Sequence, residues 1–313
     1  MSYQDQIHKA HRRRVYHTTM AEFRCVISVE PVSVWFADAN TSYAVPRPQS
    51  INAIQYVPHI TREEVTRQME PTNPSALTLK ERIHAGEQLL GVSVPPTTQK
   101  GCLEDIIASG PYDFVSTDSQ HTAFNEETIV AFCEMAGEIG IHVLFRIKHT
   151  RLTYLIGNYL DLGPTGVEVP QVETEETVDE AVGNFYYIPD GVRSWGGRTR
   201  LGFAKRGGDH VAYRKWWNST GVLWIQIESL HSVSNAHILA KPGVDCLSFG
   251  PMDLTLDIEI HPNHPFRSVD DCVKHVLKQL EGTGTKLVHR NNTPDTRQKY
   301  IDMGVPILLE LAR

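Results

Sequence analysis

The stretch Val222-Leu223-Trp224-Ile225-Gln226-Ile227-Glu228, together with Val244-Asp245-Cys246-Leu247-Ser248-Phe249-Gly250-Pro251-Met252-Asp253 farther along, decides the fold. Each half is a short apolar run that leads to an acidic residue. Because side chains alternate between the faces of a strand, Leu223, Ile225 and Ile227 share one face and Trp224, Gln226 and Glu228 the other. The residues between, 229–240, predict a crossover helix that Pro242-Gly243 ends. The stretch therefore predicts a β-α-β unit with two neighbouring parallel strands.

The two acidic residues of this unit predict a metal site. Adjacent strands lie about 4.8 Å apart, so Glu228 at one strand tip and Asp253 just past the next can share one cation. Mg²⁺ and Mn²⁺ prefer such hard oxygen ligands, at about 2.0–2.2 Å. Acidic residues at strand ends are also common in α/β proteins as solvated or ion-paired groups, so an interpretation without metal stays open.

The rest of the chain repeats this alternation of strands and helices. Further strands are predicted at 89–94, 112–118, 141–146, 166–170, 285–289 and 305–309. Eight strands, each but the last followed by a helix, predict an α/β fold of the TIM (β/α)8 barrel type over residues 75–313, with the last helix missing. A doubly wound sheet is the alternative, but Pro95-Pro96-Thr97-Thr98 is not the glycine-rich turn that such sheets carry after their first strand.

Two segments do not follow this alternation of strands and helices. Residues 1–74 are predicted to be an N-terminal extension, irregular with short helices, which could cover the outer face of the last strand in place of a helix. Residues 184–220 form a long insertion rich in aromatic residues and glycine, and we expect it to be a lid or a binding loop.

Composition narrows the class of protein. The 313 residues carry a net charge of -7, which disfavours nucleic acid or an anionic membrane as partner. The five cysteines have no C-x-x-C spacing and lie mostly in apolar runs, as reduced core residues do. No apolar run approaches the roughly 20 residues of a membrane span, and the polar N-terminus lacks a secretory signal. We therefore predict a cytoplasmic protein.

Polar residues collect where the predicted strands end, which is where barrel enzymes carry their active sites. Asp118 and His121 follow the second strand, Arg146 ends the third, Glu228 ends the fifth, and Asp253 follows the sixth. The outward faces of the same strands are apolar. The sequence therefore predicts one functional site at the C-terminal end of the barrel.

Several motifs, in order, resemble one family. They are Asp118-Ser119-Gln120-His121, Phe145-Arg146, Leu160-Asp161-Leu162-Gly163 with Pro170, Tyr187 to Arg193, Gln226-Ile227-Glu228-Ser229 and Gly250-Pro251-Met252-Asp253-Leu254. Over residues 77–309 the chain is similar to the pyruvate-dependent class II aldolases of the HpcH/HpaI type, with hydroxy-oxo-heptanedioate aldolase, dehydro-deoxy-glucarate aldolase and macrophomate synthase as relatives. The resemblance implies a homo-oligomeric lyase that acts on small molecules, a 2-oxo acid and an aldehyde.

The resemblance also implies residue roles. Glu228 and Asp253 correspond to the ligands of a divalent ion, Mg²⁺, Mn²⁺ or Co²⁺, which stabilises a pyruvate enolate. Arg146 corresponds to the arginine beside the keto oxygen, and His121, oriented by Asp118, to the general base. Substrate-binding positions follow at Gln226, at Gly250, Pro251 and Met252, and at Pro164 and Thr165, while Asp161 matches an acidic residue near the subunit interface.

The implied reaction is reversible aldol cleavage of a 4-hydroxy-2-oxo acid to pyruvate and an aldehyde. Oxaloacetate decarboxylation or macrophomate synthase-like coupling would use the same enolate with another partner. Gln120 stands where the family usually has glutamate, residues 193–197 follow the family's loop pattern only loosely, and the C-terminal helix that the family exchanges between subunits is absent. These departures keep open a third hypothesis, a non-catalytic protein that binds 2-oxo acids.

Overall fold

A computed structural model describes residues 77–196 and 203–312 of the chain. Within them eight parallel strands close into a barrel in chain order, which confirms the predicted TIM-type fold. The strands are β1 (Leu89–Ser93), β2 (Phe114–Asp118), β3 (His142–Arg146), β4 (Gly166–Val169), β5 (Val222–Ile227), β6 (Cys246–Phe249), β7 (Lys286–Asn292) and β8 (Ile307–Leu311). The predicted extension of residues 1–74, and its boundary with the barrel, lie outside the described residues.

Helices connect the strands on the outside of the barrel, and one more helix precedes β1. They are α1 (Leu79–Ala85), α2 (Lys100–Ala108), α3 (Glu126–Ile139), α4 (Ile156–Asp161), α5 (Glu175–Phe185), α6 (His210–Thr220), α7 (Leu230–Ser234), α8 (Ala236–Leu239), α9 (Pro251–Ile260), α10 (Val269–Gln279) and α11 (Arg297–Asp302), with 3₁₀ turns at Thr150–Leu155, Ala204–Arg206 and Pro294–Thr296. Asn125 and Ser268 cap α3 and α10 through their side chains. No helix in the described part of the chain has the length and apolarity that crossing a membrane requires.

Strand alternation divides the core into two layers, as the pattern of β5 predicts. Leu223, Ile225 and Ile227 point outward into the apolar layer under the helices. Trp224 points inward, where its ring meets that of Phe114 edge-on with the centroids 5.3 Å apart. The apolar side chains below Trp224, among them those of α1, fill the N-terminal half of the barrel. Polar side chains are thereby confined to the other half.

Two local predictions between β5 and β7 need correction. The crossover after β5 is not one helix but two short ones, α7 and α8, which meet at Asn235. One helix was predicted between β6 and β7, yet two are present, because α9, with Pro251 in its first turn, precedes α10. Proline suits that place because its missing N–H would have no partner there.

The described part of the insertion after α5 lies at the N-terminal end of the barrel and not over its C-terminal end. The helix α5 runs back from the end of β4, so the insertion begins at the N-terminal end of the barrel. Tyr186 at its start donates to the carbonyl of Gly243, just before β6, at 2.8 Å and accepts from Lys80 of α1 at 2.7 Å. The insertion also contains a helix that was not predicted, α6, which leads directly into β5.

One arginine holds the described part of the insertion together. The side chain of Arg193 is buried, with its guanidinium 4.9 Å from the ring of Tyr187 and 4.5 Å from that of Trp217. It also donates to Asp161 at 2.7 Å. In this chain Asp161, an expected interface residue, thus pairs with the insertion at a distance from the barrel's polar end.

Candidate active site

Arg146 and Asp118 form the centre of the polar end of the barrel. They are register partners on β3 and β2, and Arg146 binds the carboxylate of Asp118 with two hydrogen bonds of 2.8 and 2.6 Å. A third, of 3.2 Å, runs from Nη1 of Arg146 to Oε1 of Gln226 on β5. The guanidinium is therefore fixed in one plane between three strands.

These contacts also keep Asp118 ionised. Burial alone would raise the pKa of Asp118, but the hydrogen bonds and charge of Arg146 outweigh it and lower the pKa. The backbone N–H groups of Gln120 and His121 add to this effect, at 2.8 and 3.3 Å from the carboxylate oxygens. Asp118 is thus a permanent anion that orients Arg146 and the turn after β2.

The predicted orientation of the His121 ring by Asp118 takes a different form. Asp118 accepts from the backbone of His121, while both of its oxygens already bind Arg146. The imidazole is exposed at the mouth of the barrel, and among the described residues it has no hydrogen-bond partner. Asp118 therefore positions the turn that carries His121, and the ring itself stays able to reach a substrate.

Glu228 and Asp253 are brought together as predicted. Glu228 is buried, and its Oε1 has no hydrogen-bond partner in the described structure. Burial raises the pKa of Glu228 to about 8, with further contributions from the charge of Asp253 and a hydrogen bond between the two carboxyl groups; Arg146 opposes the shift. Two carboxyl groups that share one site in this way cannot both ionise cheaply without a cation.

Gly250 provides the space for this pair. A Cβ at Gly250 would lie 1.9 Å from Oε2 of Glu228 and 2.9 Å from Nε2 of Gln226. Pro251 then starts α9 directly, which places Asp253 in the first turn of the helix. A negative charge is favourable there because of the helix dipole. Each residue of the Gly-Pro-Met-Asp motif except the exposed Met252 thus has a structural reason to be present.

The residues present fit a hard divalent cation. Among residues 77–196 and 203–312, no group of three or more His, Cys, Asp or Glu side chains could hold a metal ion. Two carboxyl groups are nevertheless enough for Mg²⁺, which usually keeps several waters and binds substrate oxygens as well. The lone buried oxygen of Glu228 and its raised pKa are the features that a bound cation would relieve.

Pro164 and Thr165, two of the predicted substrate-binding residues, lie away from this site within the chain. They precede β4, and the backbone N–H of Thr165 donates to the carbonyl of Val143 at 2.9 Å, near the start of β3. They therefore lie at the N-terminal end of the barrel. A segment that precedes a strand lies at the N-terminal end of the barrel, even when its neighbours in sequence are functional residues. The prediction did not take this into account.

One ion pair in the barrel was missed. Glu168 on β4 is buried inside the barrel, where it binds Arg290 of β7 and accepts from Ser248 of β6 at 2.5 Å. The negative charge of Glu168 contributes to raising the pKa of both Arg146 and Glu228. The sequence did contain a signal for this ion pair. Glu168 lies in the middle of the apolar run 166–170, and alternation along the strand directs its side chain into the barrel. The strand that carries Arg290 extends to Asn292, beyond the predicted end at 289.

Removing one member of this ion pair is expected to destabilise the protein strongly. Arg290→Met leaves the carboxylate of Glu168 buried without its cation, and we expect a loss of about 3 kcal/mol in the free energy of unfolding. The double variant Glu168→Gln/Arg290→Met is expected to recover most of it, because the amide can still accept from Ser248. Urea denaturation measures both; a loss below about 1 kcal/mol in the single variant would contradict the assignment.

Comparison with known proteins agrees with this geometry. The family model for HpcH/HpaI aldolase/citrate lyase matches residues 96–296. A hydroxypyruvate/pyruvate aldolase of Delftia acidovorans is 32% identical over 236 residues, which cover 75% of this chain and 84% of that protein. A 2-keto-3-deoxy-L-rhamnonate aldolase of Escherichia coli is 25% identical over 234 residues, or 74% and 84% of the two chains.

A solved structure gives the same result. The crystal structure of an HpcH/HpaI aldolase from Desulfitobacterium hafniense superposes with a TM-score of 0.66 at 25% identity, over 75% of this chain and 90% of the other. Residues 96–296, which the family model matches, include Arg146, Glu228 and Asp253. The chain belongs to the HpcH/HpaI aldolase/citrate lyase family.

Proposed function

We propose that the protein is a divalent-metal-dependent carbon–carbon lyase that cleaves a 4-hydroxy-2-oxo acid reversibly to pyruvate and an aldehyde. The observation that carries the proposal is the facing pair Glu228 and Asp253 beside the fixed guanidinium of Arg146. Relatives named as aldolases support the reaction class. The substrates in their names differ, so the substrate of this chain has to be sought in its own residues.

Glu228 and Asp253 would hold the metal, with Gln226 alongside. A divalent ion supplies a Lewis acid that polarises the ketone and stabilises the negative charge of the enolate. The protein contributes a fixed binding place: Gly250 leaves room for the Glu228 carboxylate, and α9 fixes Asp253.

Arg146 would bind the oxygen on which charge develops. Three of its N–H groups are used by Asp118 and Gln226, and a guanidinium has five. Two N–H groups therefore remain to hold the keto oxygen. Since the plane of the guanidinium is already fixed, little reorganisation is needed when the negative charge forms.

His121 would act as the general base. In cleavage its imidazole takes the proton of the C4 hydroxyl, the bond between C3 and C4 breaks, and the electron pair passes to the pyruvate enolate as the aldehyde leaves. Protonation at C3 then gives pyruvate. The substrate carboxylate is best placed at the start of α9, where the N–H groups of Met252 and Asp253 have no partner within the helix.

The exchange of the methyl protons of pyruvate in D₂O tests the proposal without any aldehyde. We expect the protein to catalyse exchange with Mg²⁺, Mn²⁺ or Co²⁺, to lose it with a chelator, and to release pyruvate from 4-hydroxy-2-oxo acids under the same conditions. Proton NMR follows the first reaction and a coupled pyruvate assay the second. Exchange that persists after removal of metal would contradict the proposal.

Arg146→Lys is expected to lower the exchange rate by about 10²-fold or more, with pyruvate binding less affected. A lysine cannot reproduce the planar fork that binds Asp118 and the substrate oxygen together. The matched control is Arg82→Lys, which changes an arginine paired with Asp113 before β2, at the other end of the barrel. Equal rates in Arg146→Lys and the control would show that the guanidinium has no part in catalysis.

A further inference from the structure

A cavity of about 510 Å³ adjoins the candidate active site, lined by Gln120, Lys148, His149, Arg151 and Leu152. Gln120 and Lys148 follow the inward-facing Asp118 and Arg146 by two residues each. The strand ladder continues past both strands, with hydrogen bonds from the N–H groups of Ser119 and Ile147 at 3.1 and 3.0 Å. By alternation, Gln120 and Lys148 therefore lie on the same side as the catalytic pair.

The charged side chains that line this cavity are all positive. Its lining includes Lys148 and Arg151 and no acidic residue. Both cations are exposed, and neither forms an ion pair with any residue that the structure describes. Other arginines of the barrel, such as Arg82 and Arg297, are paired with carboxylates. Two adjacent cations without counter-ions at a site entrance favour the binding of an anion.

Two neutral groups add directional hydrogen bonds. Nδ1 of His149 accepts from the N–H of Arg151 at 3.0 Å, so the neutral ring carries its proton on Nε2 and can donate it to a ligand. Oε1 of Gln120 is buried and has no partner among the described residues. The cavity thus offers two cations, one N–H donor and one unused acceptor.

We propose that this cavity binds the phosphate of a phosphorylated aldehyde, the second substrate of the lyase reaction; this assignment rests on the proposed function. A phosphate monoester carries a charge of about -1.5 to -2 at neutral pH, which matches Lys148 and Arg151, whereas a carboxylate would match only one of them. Oε1 of Gln120 accepts a hydroxyl of the aldehyde chain. In the condensation direction C3 of the pyruvate enolate bonds to the aldehyde carbon, the aldehyde oxygen takes up a proton, and the phosphate ester is unchanged.

Binding of unreactive probes tests the assignment directly. Calorimetry with glycerol 3-phosphate, glycerol and 4-hydroxybutyrate is expected to give at least about 10-fold tighter binding of the phosphate. Lys148→Met and Arg151→Met should each weaken it about 10-fold, while Lys215→Met, an exposed lysine at a separate cavity, should not. Equal affinity for 4-hydroxybutyrate, or equal loss in Lys215→Met, would overturn the proposal.

Methyl exchange on pyruvate separates this assignment from the proposed function, since exchange needs no aldehyde. With exchange intact, kcat/KM for glyceraldehyde 3-phosphate should exceed that for glyceraldehyde at least about 10-fold in the wild type and fall toward equality in Lys148→Met. Intact exchange without this preference would overturn the subsite alone. Absent exchange with retained binding of glycerol 3-phosphate through Lys148 and Arg151 would overturn the lyase function and leave the anion site standing.

Discussion

Glu228→Gln is expected to lower the rate of pyruvate methyl exchange on the order of 10³-fold or more, while it makes the metal-free protein more stable. The loss of activity follows because an amide binds a hard cation far more weakly than a carboxylate does. The gain in stability follows because the amide removes the cost of burying the Glu228 carboxylate beside the charge of Asp253, which is itself exposed. Opposite changes in activity and stability are unusual for a substitution that merely damages the core.

The pH dependence of that stability has a defined sign. The pKa of Glu228 is raised from 4.5 to about 8 in the folded protein. Between these values the folded state holds a proton that the unfolded state has released, so stability falls as the pH rises through this window. Glutamine does not titrate, and the stability advantage of Glu228→Gln should therefore grow from about pH 5 to about pH 8 and then level off.

Calorimetric unfolding in a chelator, at several pH values, measures this effect. Glu176→Gln is the matched control, because Glu176 is exposed in the first turn of α5 and is not part of the site. A variant at Glu228 that keeps a tenth of the wild-type exchange rate would refute the catalytic assignment. A stability difference that stays constant with pH would refute the raised pKa of Glu228 in the folded protein.

Gly250→Ala is expected to reduce the exchange rate by about 10²-fold and to weaken metal binding without unfolding the barrel. The backbone at Gly250 has φ -97° and ψ 84°, which alanine can adopt, so the effect is steric. The added methyl group would overlap Oε2 of Glu228 at 1.9 Å and must displace that carboxylate. Because the displaced group sits at the mouth of the barrel, the apolar core is left unchanged.

Gly101→Ala is the control for this substitution. Gly101 lies in α2, and nothing is within 4 Å of the Cβ that alanine would add. It should leave exchange unchanged and stabilise the helix by up to about 1 kcal/mol. Titration with Mn²⁺ followed by paramagnetic relaxation of water protons compares the metal affinities, and equal affinities in both variants and the wild type would contradict the role of Gly250.

The sequence predicts the barrel strands and the inward direction of Glu228 well, because both depend on alternation within single strands. A side chain's face follows from its place in the strand, and β5 carries Trp224, Gln226 and Glu228 in succession on the inner face. The inner face of β4 follows in the same way from Gly166 and Glu168. Contacts between strands are harder, since they depend on register.

The remaining errors have the same physical origin. Whether Asp118 binds the ring of His121 or the guanidinium of Arg146 depends on the register of β2 against β3, which pairs Asp118 with Arg146 directly. The placement of Thr165 and of the insertion depends on chain direction: a segment before a parallel strand lies at the opposite end from one that follows it. A motif can be recognised from the local sequence, but the direction of the chain and the register of the strands decide which motifs come into contact.

The inner face of β5 has a last consequence. Trp224, Gln226 and Glu228 follow one another on this inner face. The ring of Trp224 belongs to the apolar core of the barrel, the amide of Gln226 accepts from Arg146, and the carboxyl group of Glu228 lies beside Asp253. These groups cannot separate while the wall of the barrel is closed, so no local opening of a surface loop dismantles them. Heat inactivation should then coincide with cooperative melting of the barrel, and the slowest amide protons to exchange with solvent should include those of residues 223–227.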